Sequence, residues 1–199
     1  MTLFTIIPAK PFAQSKTRLS PLLSLEQRIT LSRSLFLRTV KLVKQIGDVV
    51  VVSRDRNVRK LAKQAGAWSL VEAGDSLNVA IAQAVEWVTT TRGGQTALIL
   101  PTDLPLLTPT DLTEIINLGD ASAPPCVVIA PCHRGDGTNA LLLSPASLIN
   151  VAFGENSFTK HQQAALTAGI EPLIYRSPTI AFDLDLPEDV EALECKLFL

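Results

Sequence analysis

Asp103 is the residue whose type and position point most directly to chemistry. It lies in the stretch A-L-I-L-P-T-D-L-P-L-L, residues 97–107, just after a short run of apolar residues. Such a continuous run is typical of a strand buried on both faces of a parallel sheet, and Pro101 ends it. The carboxylate therefore stands at the carboxyl end of a strand, where open α/β sheets bind ligands, and it suits a divalent cation. The alternative is a turn in which Asp103 bonds its own backbone.

Three cations crowd the loop after the first predicted strand. Lys10, Lys16 and Arg18 lie in A-K-P-F-A-Q-S-K-T-R-L-S, residues 9–20. Because the loop follows a strand, its cations can wrap a polyphosphate at the same edge of the sheet as Asp103. The alternative is an ordinary solvated loop.

A second carboxylate is available from the segment D-L-D, which contains Asp183 and Asp185. With Asp103, one of them would complete a magnesium site, since magnesium takes one or two protein carboxylates beside phosphates. Asp185 is preferred because it lies nearer the start of the last predicted helix. The alternative is that both aspartates cap that helix. The chain contains neither the P-loop motif nor the dinucleotide-binding glycine motif.

Other polar residues are expected at the same edge. Asn78 opens a predicted helix and suits a base edge or a ribose, or else it caps the helix. Thr138 ends the loop G-D-G-T, whose amides can form an anion-binding nest. Residues 154–157, with Gly154 and Ser157, lead into a helix N-terminus that favours anions. The alternatives are that Ser157 is a plain N-cap and that Thr138 begins a strand. Both histidines, His133 and His161, are expected on a loop or a helix surface.

The elements that must position these residues alternate between strand and helix. Strands are predicted at residues 3–7 (closed by Pro8), 49–52, 68–71, 97–100, 127–130, 140–143 and 171–176. Helices are predicted at about 25–46, 57–65, 79–90, 109–118 and 158–168, with a last one opening at 186–189. This order predicts one α/β domain over residues 1–199, with a mostly parallel twisted sheet flanked by helices. The closer strands of the second half indicate added antiparallel pairing.

Composition excludes several classes of function. Hydrophobic residues make up 47% and charged residues 19%, which allows a large core and argues against disorder. With 18 basic against 19 acidic residues, we expect no nucleic-acid or membrane partner. Three cysteines without a C-x-x-C pair read as reduced structural thiols. Reduced cysteines, together with the absence of a signal-peptide pattern at the N-terminus, favour a cytoplasmic protein. The oligomeric state is not fixed, and a homodimer stays open.

Taken together, the motifs resemble a known family. They are P-A-K-(x5)-K-T-R-L, S-L-N, T-D-L-P-L-L, G-D-G-T-N-A-L-L-L, F-G-(x2)-S-F-(x2)-H and D-L-D-L-P-E-D-V, in this order over almost the whole chain. They resemble the 2-phospho-L-lactate guanylyltransferases, a family that includes the phosphoenolpyruvate guanylyltransferases and belongs to the molybdenum-cofactor-guanylyltransferase-like nucleotidyltransferases. The resemblance implies a nucleotide-diphospho-sugar-transferase-like fold and a step in the biosynthesis of coenzyme F-420. In that step a phosphorylated three-carbon acid attacks GTP and pyrophosphate leaves.

The residue roles expected on these grounds form four groups. Catalysis is expected from Lys16, Arg18 and Asp103; nucleotide binding from Pro8, Lys10, Lys16, Arg18, Asn78 and Asp103; magnesium binding from Asp103 and Asp185; and acid binding from Thr138, Gly154 and Ser157. The chain departs from the family pattern at Ser76, at Leu186 and at His133-Arg134. The last departure leaves the identity of the acid open. Two other functions stay open as well: a nucleotidyltransferase with a molybdopterin or sugar-phosphate acceptor, and a nucleotide-binding module without turnover.

Overall fold

A seven-stranded mixed sheet forms the centre of the molecule in the computed structural model, which describes residues 2–74 and 76–197. Its strand order is β3-β2-β1-β4-β6-β5-β7. The strands are β1 (Leu3–Pro8), β2 (Asp48–Ser53), β3 (Trp68–Val71), β4 (Thr96–Ile99), β5 (Cys126–Pro131), β6 (Thr138–Ser144) and β7 (Leu173–Ile174). The described helices are α1 (Leu25–Val43), α2 (Arg56–Gln64), α3 (Leu77–Arg92), α4 (Pro109–Ser122), α5 (Ser157–Thr167) and α6 (Pro187–Leu197), with 3-10 turns at Phe12–Gln14 and Thr17–Leu19.

The first four strands pair in parallel, and β6 is inserted antiparallel between β4 and β5. The predicted single α/β domain with added antiparallel strands is therefore confirmed. Because β6 runs against its neighbours, its first residue, Thr138, lies at the same edge as the carboxyl ends of β1 and β4. The sheet thus gathers strand ends from both halves of the chain at one edge.

The sheet has a hydrophobic core on each face. One core packs α1, α2 and α4 against residues such as Ile7, Val51 and Leu98. The other packs α3 and α5 against residues such as Ile6 and Ile99. Adjacent strand residues point to opposite faces, so the continuous apolar runs fill both cores. This explains why no strand of the centre shows an alternating polar pattern.

Local signals set several helix ends. Ser24 and Gln27 form a reciprocal capping box at α1. Thr108 caps α4 just before Pro109, and the buried carboxylate of Asp111 accepts a hydrogen bond from the Thr108 amide. Asp111 also accepts hydrogen bonds from Tyr175 and Thr179, which ties the end of β7 to α4. Although burial disfavours the charged form, hydrogen bonds from Ser177, Thr108 and Thr179 lower the pKa of Asp111 below its usual range.

Cys126 and Cys132 are buried free thiols, as predicted. The side chain of Cys195 lies outside the described part of the chain. Among the described helices, none is long and apolar enough to cross a membrane.

Candidate active site

A cleft of about 750 Å³ opens at the carboxyl edge of the parallel strands. Seven of the residues predicted from the sequence to act at this edge line it: Pro8, Lys10, Lys16, Arg18, Asp103, Gly154 and Asp185. They come from the loops after β1 and β4, from the loop before α5 and from the segment before α6. The structure therefore brings together groups that lie far apart in sequence.

Lys16 is at the centre of this cleft. Its Nζ lies 3.2 Å from Oδ2 of Asp103 and 2.8 Å from Oδ1 of Asp185. The side chain is only 8% exposed. The backbone of Lys16 is left-handed, with φ at 53°, between the two 3-10 turns. This conformation is costly for a residue with a Cβ and is concentrated at functional sites. The solvated-loop alternative is therefore wrong for Lys16, and the Asp103 carboxylate binds Lys16 instead of its own turn.

The charges of this cluster depend on one another. Burial alone would lower the pKa of Lys16, but the carboxylates of Asp103 and Asp185 outweigh it and raise that pKa. The ammonium group therefore stays charged and compensates two carboxylates that would otherwise repel each other. A single cationic centre can thus be shared by both carboxylates.

Asp183 has different partners from Asp185. Its carboxylate lies 3.1 Å from Nη1 of Arg134 and 3.2 Å from Nδ1 of His133. Burial and the nearby carboxylates of Asp103 and Asp185 raise the pKa of Asp183, while Arg134 opposes the rise. The carboxylates of both aspartates contact cationic side chains, Asp185 the ammonium of Lys16 and Asp183 the guanidinium of Arg134, and within the described residues neither contacts a backbone amide of α6, which speaks against the capping alternative. The geometry supports the choice of Asp185 over Asp183 for the cleft.

Lys10 and Arg18 are exposed on the cleft wall. Within the described part of the chain neither forms a hydrogen bond or an ion pair, so both are available to an anionic ligand. Pro8, the last residue of β1, also lines the cleft.

Asn78 lies behind the cleft wall, where it binds the backbone of Phe153. Its Oδ1 accepts from the Phe153 amide at 2.8 Å, and its Nδ2 donates to the Phe153 carbonyl at 3.1 Å. The predicted alternative role as helix cap is wrong, because Ser76 caps α3. Its neighbours Leu77 and Ala80 line the cleft. Asn78 therefore connects the wall of the cleft to the loop that carries Gly154.

Thr138 and Ser157 are nearly buried, at 6% and 2% exposure. Ser157 Oγ accepts from the Thr138 amide at 2.9 Å, and Thr138 Oγ1 lies 2.9 Å from Nδ1 of His161. Thr138 does begin β6, whereas the N-cap of α5 is Asn156 and not Ser157. Of the three residues predicted to bind the acid, Gly154 alone lines the cleft.

The predicted amide nest before β6 is closed by internal hydrogen bonds. The amide of Gly135 donates to the Cys132 carbonyl, that of Gly137 to Cys132 Sγ and that of Thr138 to Ser157. At the start of α5 the Ser157 amide donates to the Gly154 carbonyl. Because these donors are engaged, they do not offer a free anion-binding cradle.

The prediction of a surface position for His161 is wrong. The side chain is fully buried, with a ring contact to Phe153 at 4.8 Å between centroids. One signal could have located it. Ser157, His161 and Ala165 are spaced by four residues and together form the buried face of α5. His133, in contrast, is an exposed loop residue as predicted.

Comparison with known proteins adds relatives in sequence. The phosphoenolpyruvate guanylyltransferase of Rubrobacter xylanophilus is 37% identical over 200 residues, covering 98% of this chain and 94% of that protein. The 2-phospho-L-lactate guanylyltransferase of Methanocaldococcus infernus is 35% identical over 186 residues, covering 94% and 82%.

Solved structures share the fold. A protein of Desulfovibrio desulfuricans G20 assigned to the nucleotide-diphospho-sugar transferases superposes with a TM-score of 0.77 at 14% identity, covering 97% of this chain and 87% of that one. A cytidylyltransferase of Leptospira borgpetersenii gives 0.64 at 15% identity, covering 100% and 88%. These likenesses confirm the predicted fold class. The family model for CofC-like guanylyl transferases matches residues 3–195. The resemblance drawn from the motifs is thus confirmed, and the chain belongs to the CofC-like guanylyl transferase family, whose members are nucleotidyltransferases.

Proposed function

We propose that this protein transfers GMP from GTP to the phosphate of a phosphorylated three-carbon acid, either 2-phospho-L-lactate or phosphoenolpyruvate, in coenzyme F-420 biosynthesis. An oxygen of the acid's phosphate forms a bond to the α-phosphorus of GTP. The bond from that phosphorus to the oxygen leading to the β-phosphate breaks, and pyrophosphate leaves. The observation that carries the proposal is the cleft in which Lys16 joins Asp103 and Asp185. The names of both relatives support the substrate class. These substrates are small and water-soluble, which fits a cytoplasmic enzyme.

The two carboxylates fit a magnesium ion. Both carboxylates contact the Lys16 ammonium within 3.2 Å, so they lie close enough together to bind one further cation through their other oxygens, and both line the open cleft. Among the described residues, no group of three or more acidic, histidine or cysteine side chains could hold a metal. The remaining ligands must therefore be phosphate oxygens and water, as is usual for magnesium. When bound by Asp103 and Asp185, the ion would compensate the charge of the transferring phosphoryl group.

The cations of the first loop have a distinct task. Lys10 and Arg18 are exposed on the cleft wall and are proposed to hold the β- and γ-phosphates. Lys16 is proposed to balance the charge that develops on the leaving pyrophosphate, because its ammonium is already fixed near the carboxylates. Together these groups hold the triphosphate in line for attack by the acid.

The acid is proposed to bind near Gly154, supported from behind by Thr138 and Ser157. Gly154 is exposed and lines the cleft, and a Cβ at this position would meet no atom within 4 Å. A ligand can therefore approach the backbone closely there. The two hydroxyl residues fix the strand and helix between which the loop of Gly154 runs.

A pyrophosphate-release assay tests this function. GTP, ATP, CTP and UTP are each combined with 2-phospho-L-lactate, phosphoenolpyruvate and phosphoglycerate, with and without magnesium. Release is expected with GTP and at least one acid, and only with magnesium. Turnover with a molybdopterin or sugar-phosphate acceptor alone would support the other nucleotidyltransferase function. Binding of GTP without turnover on any acceptor would support a non-catalytic module.

A further inference from the structure

The loop that carries Gly154 is held at two points by side chains from different helices. Residues 152–154, which we call the acceptor segment, lie between α3 and α5. The amide of Ala152 donates to Nε2 of His161 at 2.9 Å, and Phe153 is bound through both backbone groups by Asn78. Within the described part of the chain, the next amide, that of Gly154, has no acceptor. The segment is therefore fixed while one donor is left for a ligand.

The hydrogen bonds of His161 determine its protonation state. Because Nε2 accepts from the Ala152 amide, it carries no hydrogen, and Nδ1 of the neutral ring must carry one. Nδ1 therefore donates to Thr138 Oγ1. Burial lowers the pKa of His161 to about 4, which keeps this neutral form at physiological pH. The ring thus links the first residue of β6 to the acceptor segment with a fixed hydrogen-bond direction.

Asn78 supplies the second point of attachment and connects it to the cleft wall. It lies in the first turn of α3, whose residues Leu77 and Ala80 line the cleft. A single continuous chain of contacts therefore runs from Ser157 through Thr138, His161 and the acceptor segment to the cleft wall.

We propose that His161 and Asn78 are positioning residues that hold the acceptor segment so that the Gly154 amide donates to an anionic group of the phosphorylated acid. The proposal rests on the proposed function, since it assigns the acid to this segment. Neither side chain touches the reacting atoms. Each acts through backbone bonds to residues 152 and 153, and so should affect the acid far more than the nucleotide.

Two substitutions at His161 separate its two hydrogen bonds. In H161Q the side-chain amide can still reach the Ala152 amide. In H161N the shorter side chain can still reach Thr138 Oγ1, but the Ala152 amide loses its acceptor. We expect H161N to raise the Michaelis constant for the acid roughly tenfold, the effect of one lost hydrogen bond. H161Q should stay closer to wild type, and the Michaelis constant for GTP should change little in both.

Asn78→Ala should likewise raise the Michaelis constant for the acid, with the preference for GTP over ATP unchanged. Thr96→Val is the matched control. It removes a buried hydrogen bond of 3.1 Å to Ser144 at the opposite edge of the sheet, so it should lower the melting temperature without affecting either Michaelis constant.

The outcomes are distinct. If wild type releases pyrophosphate with none of the three acids, the proposed function fails. If wild type is active but H161N binds the acid normally, the positioning role of His161 is overturned. A lost preference for GTP with normal acid binding in Asn78→Ala would instead give Asn78 the base-binding role predicted from sequence. Equal losses in H161N and H161Q, matched by Thr96→Val, would reduce His161 to a structural residue.

Discussion

The buried imidazole of His161 makes the stability of the fold depend on pH. Its pKa is about 4 in the folded chain, against 6.5 for the unperturbed side chain. Between these values the unfolded state binds more protons than the folded state. The contribution of His161 is therefore complete above about pH 6.5 and is lost as pH falls toward 4. From the two pKa values, the loss between pH 7 and pH 5 is about 2 kcal/mol.

This loss is measured as a difference between proteins. The free energy of unfolding is obtained by urea titration at pH 7 and pH 5 for wild type and for H161Q, which lacks the titrating ring. We expect wild type to lose about 2 kcal/mol more than the variant, which corresponds to roughly 4–8 °C in melting temperature. Thr96→Val serves as control, because it weakens the fold without removing a titrating group and should keep the wild-type dependence on pH. If wild type and H161Q show the same dependence, the ring is not held neutral and the assigned hydrogen-bond directions are wrong.

Three further predictions concern the cleft and the core. Asp103→Asn should strongly reduce pyrophosphate release at saturating magnesium while thermal unfolding stays near wild type. Lys16→Ala should lower kcat/KM for GTP by roughly ten- to hundredfold, since a charge-assisted hydrogen bond contributes about 1.5–3 kcal/mol. Normal values in both Lys16→Ala and Arg18→Ala would mean that the loop does not bind triphosphate. Asp111→Asn should lower the free energy of unfolding by about 2 kcal/mol with unchanged Michaelis constants, because its carboxylate accepts only structural hydrogen bonds.

The positions of the strands were predictable from the sequence because the sheet is buried on both faces. Runs such as residues 49–52 and 97–100 are apolar without alternation, and each is closed by a turn or proline. Strand ends then place Asp103 and the loop of Lys16 at one edge without any knowledge of side-chain contacts. The helix caps at Ser24 and Thr108 could also be predicted, because the capping hydrogen bonds join residues only three apart in the sequence.

Residue contacts across long stretches of sequence could not be predicted in this way. His161 follows Thr-Lys and precedes Gln-Gln, a polar setting that indicates a helix surface. It is buried because the acceptor segment folds over it and supplies the Ala152 amide. The spacing of Ser157, His161 and Ala165 marks the buried face of α5, but two of these side chains are polar. A stripe of polar residues gives no hydrophobic signal, but the four-residue spacing could have indicated this face, and the hydrogen-bond partners of Ser157 and His161 show why it is buried.

The choice between Asp183 and Asp185 shows the same limit at the candidate metal site. The two residues are identical in type and lie two positions apart, so neither composition nor spacing separates them. Their partners do. Asp183 is bound by Arg134, which comes from the loop after β5, and Asp185 is bound by Lys16, which comes from the loop after β1. An aspartate already held by an arginine away from the cleft has less to gain from a cation than one that faces the cleft. The assignment of Asp185 therefore depends on where Arg134 lies, which the fold determines and the local sequence does not.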